Sequence, residues 1–198
     1  MQWLSTLEAQ ATAIRLIELG ARAGLVCHVT SLPRATVKTC YEQIHGRSSP
    51  PGMSPFSDAW YVRTNRRMLH ANIVWKLLNG GQFDQDGGQR LIKVYEAYLC
   101  FTGGRALLNL ARAYFVPQLL RMGLWRPFEC RDCGTTYIGP TTEVQRFCPA
   151  CCRQRAYRCA KCGAAVPQTG VGRRIEICRS CRHSLWQDKE GGCCRVAM

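Results

Sequence analysis

Apolar residues recur with a helical period through most of the first 122 positions. Leu4, Leu7, Ala11, Ile14, Ala21 and Leu25 keep close to a spacing of about 3.5 residues, with Ile17 filling the gap and charges opposite; this predicts one long amphipathic helix over residues 3–26. Thr30-Ser31-Leu32-Pro33 then offers a capping oxygen followed by proline, and Val37, Cys40, Tyr41 and Ile44 share a face until His45-Gly46. Arg34, Lys38 and Thr39 point away from that face. Two helices joined by so short a turn resemble a helix-turn-helix, whose second helix would present Arg34 and Lys38 to a major groove; a plain helical hairpin is the competing account. Residues 48–56 hold three prolines and a glycine and predict a non-helical connector. Ser57 or Asp58 caps a third helix carrying Trp60, Leu69, Ile73, Val74, Leu77 and Leu78 to Gly80-Gly81. A fourth spans 89–101 and stops at Gly103-Gly104. A fifth spans 106–122, with Pro117 expected to bend or break it. The fold class is mainly α: a five-helix domain over 1–126, a second domain over 127–186, and a disordered tail over 187–198.

Periodicity gives way to cysteine in the second domain. Cys130/Cys133, Cys148/Cys151, Cys159/Cys162 and Cys178/Cys181 are four Cys-x-x-Cys pairs, the first two separated by fourteen residues and the last two by fifteen. That is the loop length of a four-thiolate zinc ribbon, in which two tight turns aim their sulfurs at one point about 2.3 Å away. Gly134 and Gly163 follow two of the pairs, where such a knuckle needs positive φ. Two small four-cysteine zinc ribbons with one or two Zn²⁺ per chain are expected. A disulfide or redox reading fits poorly without the βαβ pattern of a thioredoxin. Cys152 is an alternative to Cys151 as fourth ligand, and Cys193-Cys194 read as frayed-end thiols. Cys27, Cys40 and Cys100 read as small core residues and His70 as a packing or hydrogen-bonding residue.

The chain has 198 residues, 46% of them hydrophobic, with a formal charge of +14. Two tetrathiolate zinc sites, each worth −2, would leave about +10. The excess concentrates at residues 146–182, where Arg146, Arg153, Arg155, Arg158, Lys161, Arg173, Arg174, Arg179 and Arg182 face one acid, Glu176. Eight arginines among nine cations suit bidentate phosphate contact, so the arginines of this set join Arg34 and Lys38 as candidate DNA-binding residues. No membrane-spanning run is present, and the chain reads as cytoplasmic, where so many cysteines stay reduced. Neither an HExxH motif, a phosphate loop nor a Ser/His/Asp set can be assembled, so no enzyme is expected. An RNA or protein-interaction module, with Tyr137, Phe147 and Tyr157 stacking on bases, is the alternative.

Certain strings carry a further signal: Leu19-Gly20-Ala21-Arg22, Tyr41 and Gly46, Ser49-Pro50-Pro51-Gly52-Met53-x-Pro55-Phe56-Ser57-x-x-Trp60, His70-Ala71, Tyr95-x-x-Tyr98-Leu99, Leu110-Ala111-Arg112-Ala113-Tyr114, and Cys130-x-x-Cys133-Gly134 with Cys148-x-x-Cys151. Over residues 5–155 the chain resembles the FlhC family, DNA-binding subunits of the bacterial flagellar master activator. The resemblance implies a mainly helical protein with one four-cysteine zinc site. It implies assembly as two FlhC with four FlhD chains, binding of double-stranded promoter DNA and recruitment of RNA polymerase. The flagellar class 2 operons are the implied targets, with transfer genes of mobile elements as the alternative. The apolar stripe of the first helix, Leu7, Ala11 and Ile14, is the candidate docking surface for an FlhD-like partner. Two departures stand out: the proline block lacks one residue between its second proline and its glycine, and the second ribbon extends past the usual family end, where a short basic tail is ordinary.

Overall fold

The computed structural model describes residues 2–52, 54–80, 87–142, 146–166 and 176–182. The expected first helix is two. α1 (Gln2–Glu18) closes at Gly20, whose φ of +85° lets the chain turn back: the Gly20 N–H donates to the Ile17 carbonyl and the Ala21 N–H to the Leu16 carbonyl, both at 2.9 Å. This paired bond is the Schellman stop, with buried Leu16 and Ala21 as its apolar contact. α2 (Ala23–Thr30) then starts afresh, its first amide donating to Ser49 Oγ at 3.1 Å. Thr30 does not cap the next helix; its hydroxyl donates back to the Val26 carbonyl at 2.8 Å. α3 (Arg34–His45) begins directly after Pro33 without a side-chain cap. α1, α2 and α3 pack against one another.

The buried face of α1 also differs from the predicted stripe. Thr12, Ala13, Leu16 and Ile17 are buried, whereas Leu7 and Ile14 are 51% and 41% exposed. A helix rich in alanine has apolar residues on two sides, and spacing does not say which side the core takes.

The expected third helix likewise divides. α4 (Ala59–Val62) ends at Arg63, and α5 (Asn65–Gly80) restarts with Thr64 Oγ1 accepting from the Arg67 amide at 3.2 Å. Asp58 lends no side-chain cap, because Oδ2 accepts instead from Trp125 Nε1 at 3.0 Å. α6 (Gly87–Thr102) lies close to expectation. α7 (Leu110–Arg121) begins later than predicted, at the Asn109 cap, and runs through Pro117 unbroken. What holds residues 107 and 108 out of the helix is Tyr98: its buried hydroxyl accepts from the Leu107 and Leu108 amides at 2.9 and 3.1 Å. With both lone pairs taken, its own proton goes to His70 Nδ1, 2.7 Å away. Cys27 and Cys40 pack on the core, but Cys100 is exposed.

Two strands, β1 (Trp125–Glu129) and β2 (Thr136–Pro140), form a small sheet. Buried Asn72 of α5 meets β2 as a neighbouring strand would, accepting from the Ile138 amide at 2.7 Å and donating to its carbonyl at 2.9 Å. The chain divides into two compact units. The first is Met1–Phe128 with Thr136–Gln145, holding seven helices among its described residues; the second is Glu129–Thr135 with Arg146–Met198, holding α8 (Pro149–Arg155). Among the described residues no helix is long and apolar enough to cross a membrane.

Candidate metal centres and their basic surroundings

The second unit is built from one hydrogen-bonded knuckle made twice. In the first, the Cys130 amide donates to the Thr135 carbonyl at 3.1 Å and the Gly134 amide to the Cys130 carbonyl at 2.9 Å. In the second, Cys159 bonds Ala164 at 2.8 Å and Gly163 bonds Cys159 at 2.9 Å. Both glycines have positive φ. Each knuckle is matched by a helical turn that opens on a cysteine. The Cys148 amide donates to Cys130 Sγ at 3.2 Å and the Cys151 amide to Cys148 Sγ at 3.4 Å; Cys178 and Cys181 do the same at 3.3 and 3.4 Å. Cys148 is thereby the N-cap of α8, with Pro149 at its first position.

These turns bring the sulfurs of Cys130, Cys133, Cys148 and Cys151 within 4.8 Å of one another, and those of Cys159, Cys162, Cys178 and Cys181 likewise. A tetrahedron with bonds of about 2.3 Å has edges of about 3.8 Å. The Cys133–Cys148 sulfurs are 3.8 Å apart and the Cys162–Cys178 sulfurs 3.6 Å apart, so both clusters could hold a tetrahedral, zinc-sized ion. Cys152 lies outside the first cluster, its thiol directed at the Phe147 carbonyl 3.5 Å away; Cys151 is the fourth sulfur.

The electrostatics call for a cation. Burial alone would raise Cys130, but the amides of Cys148, Cys133 and Asp132 outweigh it and bring the thiol down to about 6. The amides of Cys178 and Cys162 bring Cys159 to about 6 as well. The later protons are held: burial and then the neighbouring sulfurs push Cys151 up, and bonds to Cys162 and Cys178 push Cys181 up to about 12. Four thiolates at this spacing ionise together only when a metal shares their charge.

Among the candidate DNA-binding residues, Arg146, Arg153, Arg158, Arg179 and Arg182 are exposed on the second unit. Arg158 also donates to the Gly163 carbonyl at 3.3 Å. Arg155 is committed internally: its guanidinium forks onto both carboxylate oxygens of Asp132 and stacks 3.9 Å over the Phe147 ring. Asp132, between Cys130 and Cys133 of the first cluster, lies outside the stretch 146–182 whose one acid is Glu176. Arg173 and Arg174 lie outside the described residues, as does the tail with Cys193 and Cys194. On the first unit, Arg34 is exposed in the first turn of α3, and Lys38 approaches Glu42 at 3.8 Å. Leu7, Ala11 and Ile14 form one exposed row on α1. Of the three aromatics, Tyr137 is buried and stacked on Phe128, Phe147 lies beneath Arg155, and Tyr157 is 49% exposed.

The family model described as flagellar transcriptional activator (FlhC) matches residues 4–165. Several curated proteins, each named flagellar transcriptional regulator FlhC, are similar to the chain. That of Gallionella capsiferriformans is 30% identical over 148 residues, covering 69% of this chain and 79% of its own length. Those of Xenorhabdus nematophila and Cupriavidus necator are 33% and 34% identical, covering 64% and 68% of this chain and 68% of each relative. The match ends after Cys159 and Cys162 and before Cys178 and Cys181.

Proposed function

The chain belongs to the FlhC family of flagellar transcriptional activators, and from that premise we propose that it acts as the DNA-binding subunit of a promoter-bound activator, its second unit folded around two structural zinc ions. The observation that carries this reading is the pair of all-sulfur clusters with zinc-tetrahedron edges inside one arginine-rich unit. Sulfur at every vertex leaves no position for an activated water, so the ions act as scaffold. Small zinc modules draw about 10–16 kcal/mol of folding free energy from the metal. Arg146, Arg153, Arg158, Arg179 and Arg182, joined by Arg173 and Arg174 in the sequence, are the phosphate contacts of this reading, and Arg34 and Lys38 the contacts of an α2–α3 helix-turn-helix. An FlhD-like partner docks on Leu7, Ala11 and Ile14, and the assembly recruits RNA polymerase at flagellar class 2 promoters in the cytoplasm.

The test is metal content and DNA binding on one sample. Protein purified without oxygen should carry two zinc ions and protect a class 2 promoter when co-expressed with FlhD. If about six phosphates are neutralised, log affinity should fall against log salt with a slope of about −5. A slope near zero, or a chain without metal, rejects the proposal.

A further inference from the structure

The first unit holds a cleft of about 670 Å³ where the starts of α2, α3 and α7 meet α4 and the proline-rich connector. Among the described residues three guanidinium groups line it, those of Arg22, Arg34 and Arg112, and no carboxylate does. Among the described residues none of the three forms an ion pair. The acids closest to them in sequence are engaged elsewhere: Glu18 and Glu96 pair with Arg15, and Glu42 serves Lys38 and Ser48, while Asp58, next to the lining residue Ser57, accepts from Trp125. Arg112 lies 4.0 Å over the Trp60 ring, and Arg67 lies 4.4 Å from the same ring. Burial first, and then the charges of Arg67 and Arg22, depress the pKa of Arg112, while Tyr61 opposes them. Gly52 shapes the wall. At its φ of +138° the connector backbone comes so near Arg22 that a Cβ there would stand 2.2 Å from Nη1. Phe56, 68% exposed, supplies an apolar flank.

Like charges gathered in a partly desolvated cleft are unfavourable unless an anion completes them. A guanidinium fork matches phosphate oxygens two at a time, and an exposed ring is a platform for a base or sugar. We propose that this cleft is a phosphate-binding site, in which Arg22, Arg34 and Arg112 grip a phosphomonoester or phosphodiester and Phe56 packs against the group attached to it. The phosphate comes either from the promoter backbone, in which case the proposal rests on the DNA-binding reading above, or from a free nucleotide, in which case it does not.

Calorimetry on the full-length, zinc-loaded chain separates these sources, with ADP, a promoter duplex and a glutamate-rich peptide as probes. The variants are Arg22→Gln alone, which leaves the helix-turn-helix contact Arg34 in place, and Arg22→Gln with Arg34→Gln; both residues are exposed, and zinc content and the melting curve confirm that the fold persists. Wild-type binding of ADP that weakens at least tenfold in the double variant assigns a free nucleotide. Indifference to ADP, with duplex affinity falling and the salt slope shrinking by about one in Arg22→Gln alone, assigns the backbone. The proposal is overturned if Arg22→Gln binds duplex as the wild type does while the double variant responds to ADP as the wild type does, or if neither probe binds the wild type. It is equally overturned if the peptide is the probe whose binding the substitutions remove. A chain that binds ADP at this cleft but ignores DNA would refute the promoter-binding reading and leave the cleft standing.

Discussion

Arg153 and Arg155 are two positions apart and perform different tasks. Arg155 is forked onto Asp132 and stacked on Phe147, so Arg155→Ala should lower the stability of the second unit and leave the Asp132 carboxylate without its partner. Arg153 is exposed, so Arg153→Ala should spare stability and reduce the salt slope of DNA binding by about one. Melting curves and salt titrations of the two variants would distinguish these outcomes. The sulfurs carry a pH dependence of definite sign. Cys130 and Cys159 are held at about 6, below the value of about 8.5 for a thiol in an unfolded chain. A depressed group contributes stability that is complete above the unfolded value and lost as pH falls through the folded one. The metal-free second unit should therefore loosen between about pH 8.5 and pH 6. In the zinc-loaded chain, protons compete with metal for the same sulfurs, so a zinc indicator dye should report release on further acidification.

At the scale of elements, helices are delimited by single polar or glycine positions. Gly20→Ala should cost about 1 kcal/mol, because a Cβ is disfavoured at φ +85°. Asn72→Leu should cost about 2–4 kcal/mol, since the buried Ile138 amide and carbonyl would both lose their partner. Chemical denaturation of the full chain checks both. The stops at Gly46 and Gly103 and the cysteine knuckles were legible in the sequence, because glycine and paired cysteine act locally; the stop expected at Gly80-Gly81 runs into residues outside those described. The breaks at Gly20 and Thr64 were not, because apolar residues continue in period on either side of them and the hydrogen bonds that end one helix and cap the next are invisible to spacing. Asn109 and Asp58 show the same limit. The Asn109 cap prevailed over an earlier helix start because Tyr98, distant in sequence, claims two amides. Asp58 was drawn from its capping role by Trp125, also distant in sequence. Spacing singled out the sulfurs of both clusters except at one vertex, where Cys151 and Cys152 stood as alternatives until the helical turn aimed Cys152 at the Phe147 carbonyl; the Asp132–Arg155 clamp likewise depends on a turn that only the fold supplies.

For the whole molecule, the side of α1 turned away from its own core is the feature with the widest reach. Ala11→Glu with Ile14→Glu should abolish co-purification with an FlhD-like partner while zinc content stays at the wild-type level, because both residues lie on the exposed side of α1 and outside the unit that holds the cysteine clusters. The repeated knuckles bear on where the polypeptide can be cut. A protein shortened to the length shared with its relatives, ending at residue 165, would keep Cys159 and Cys162 and lose Cys178 and Cys181. Such a truncation strands half a chelate: two unshielded thiols, open to air oxidation and to scavenging a metal between molecules. One ending at residue 156 would remove the duplicate cleanly and keep the first cage whole.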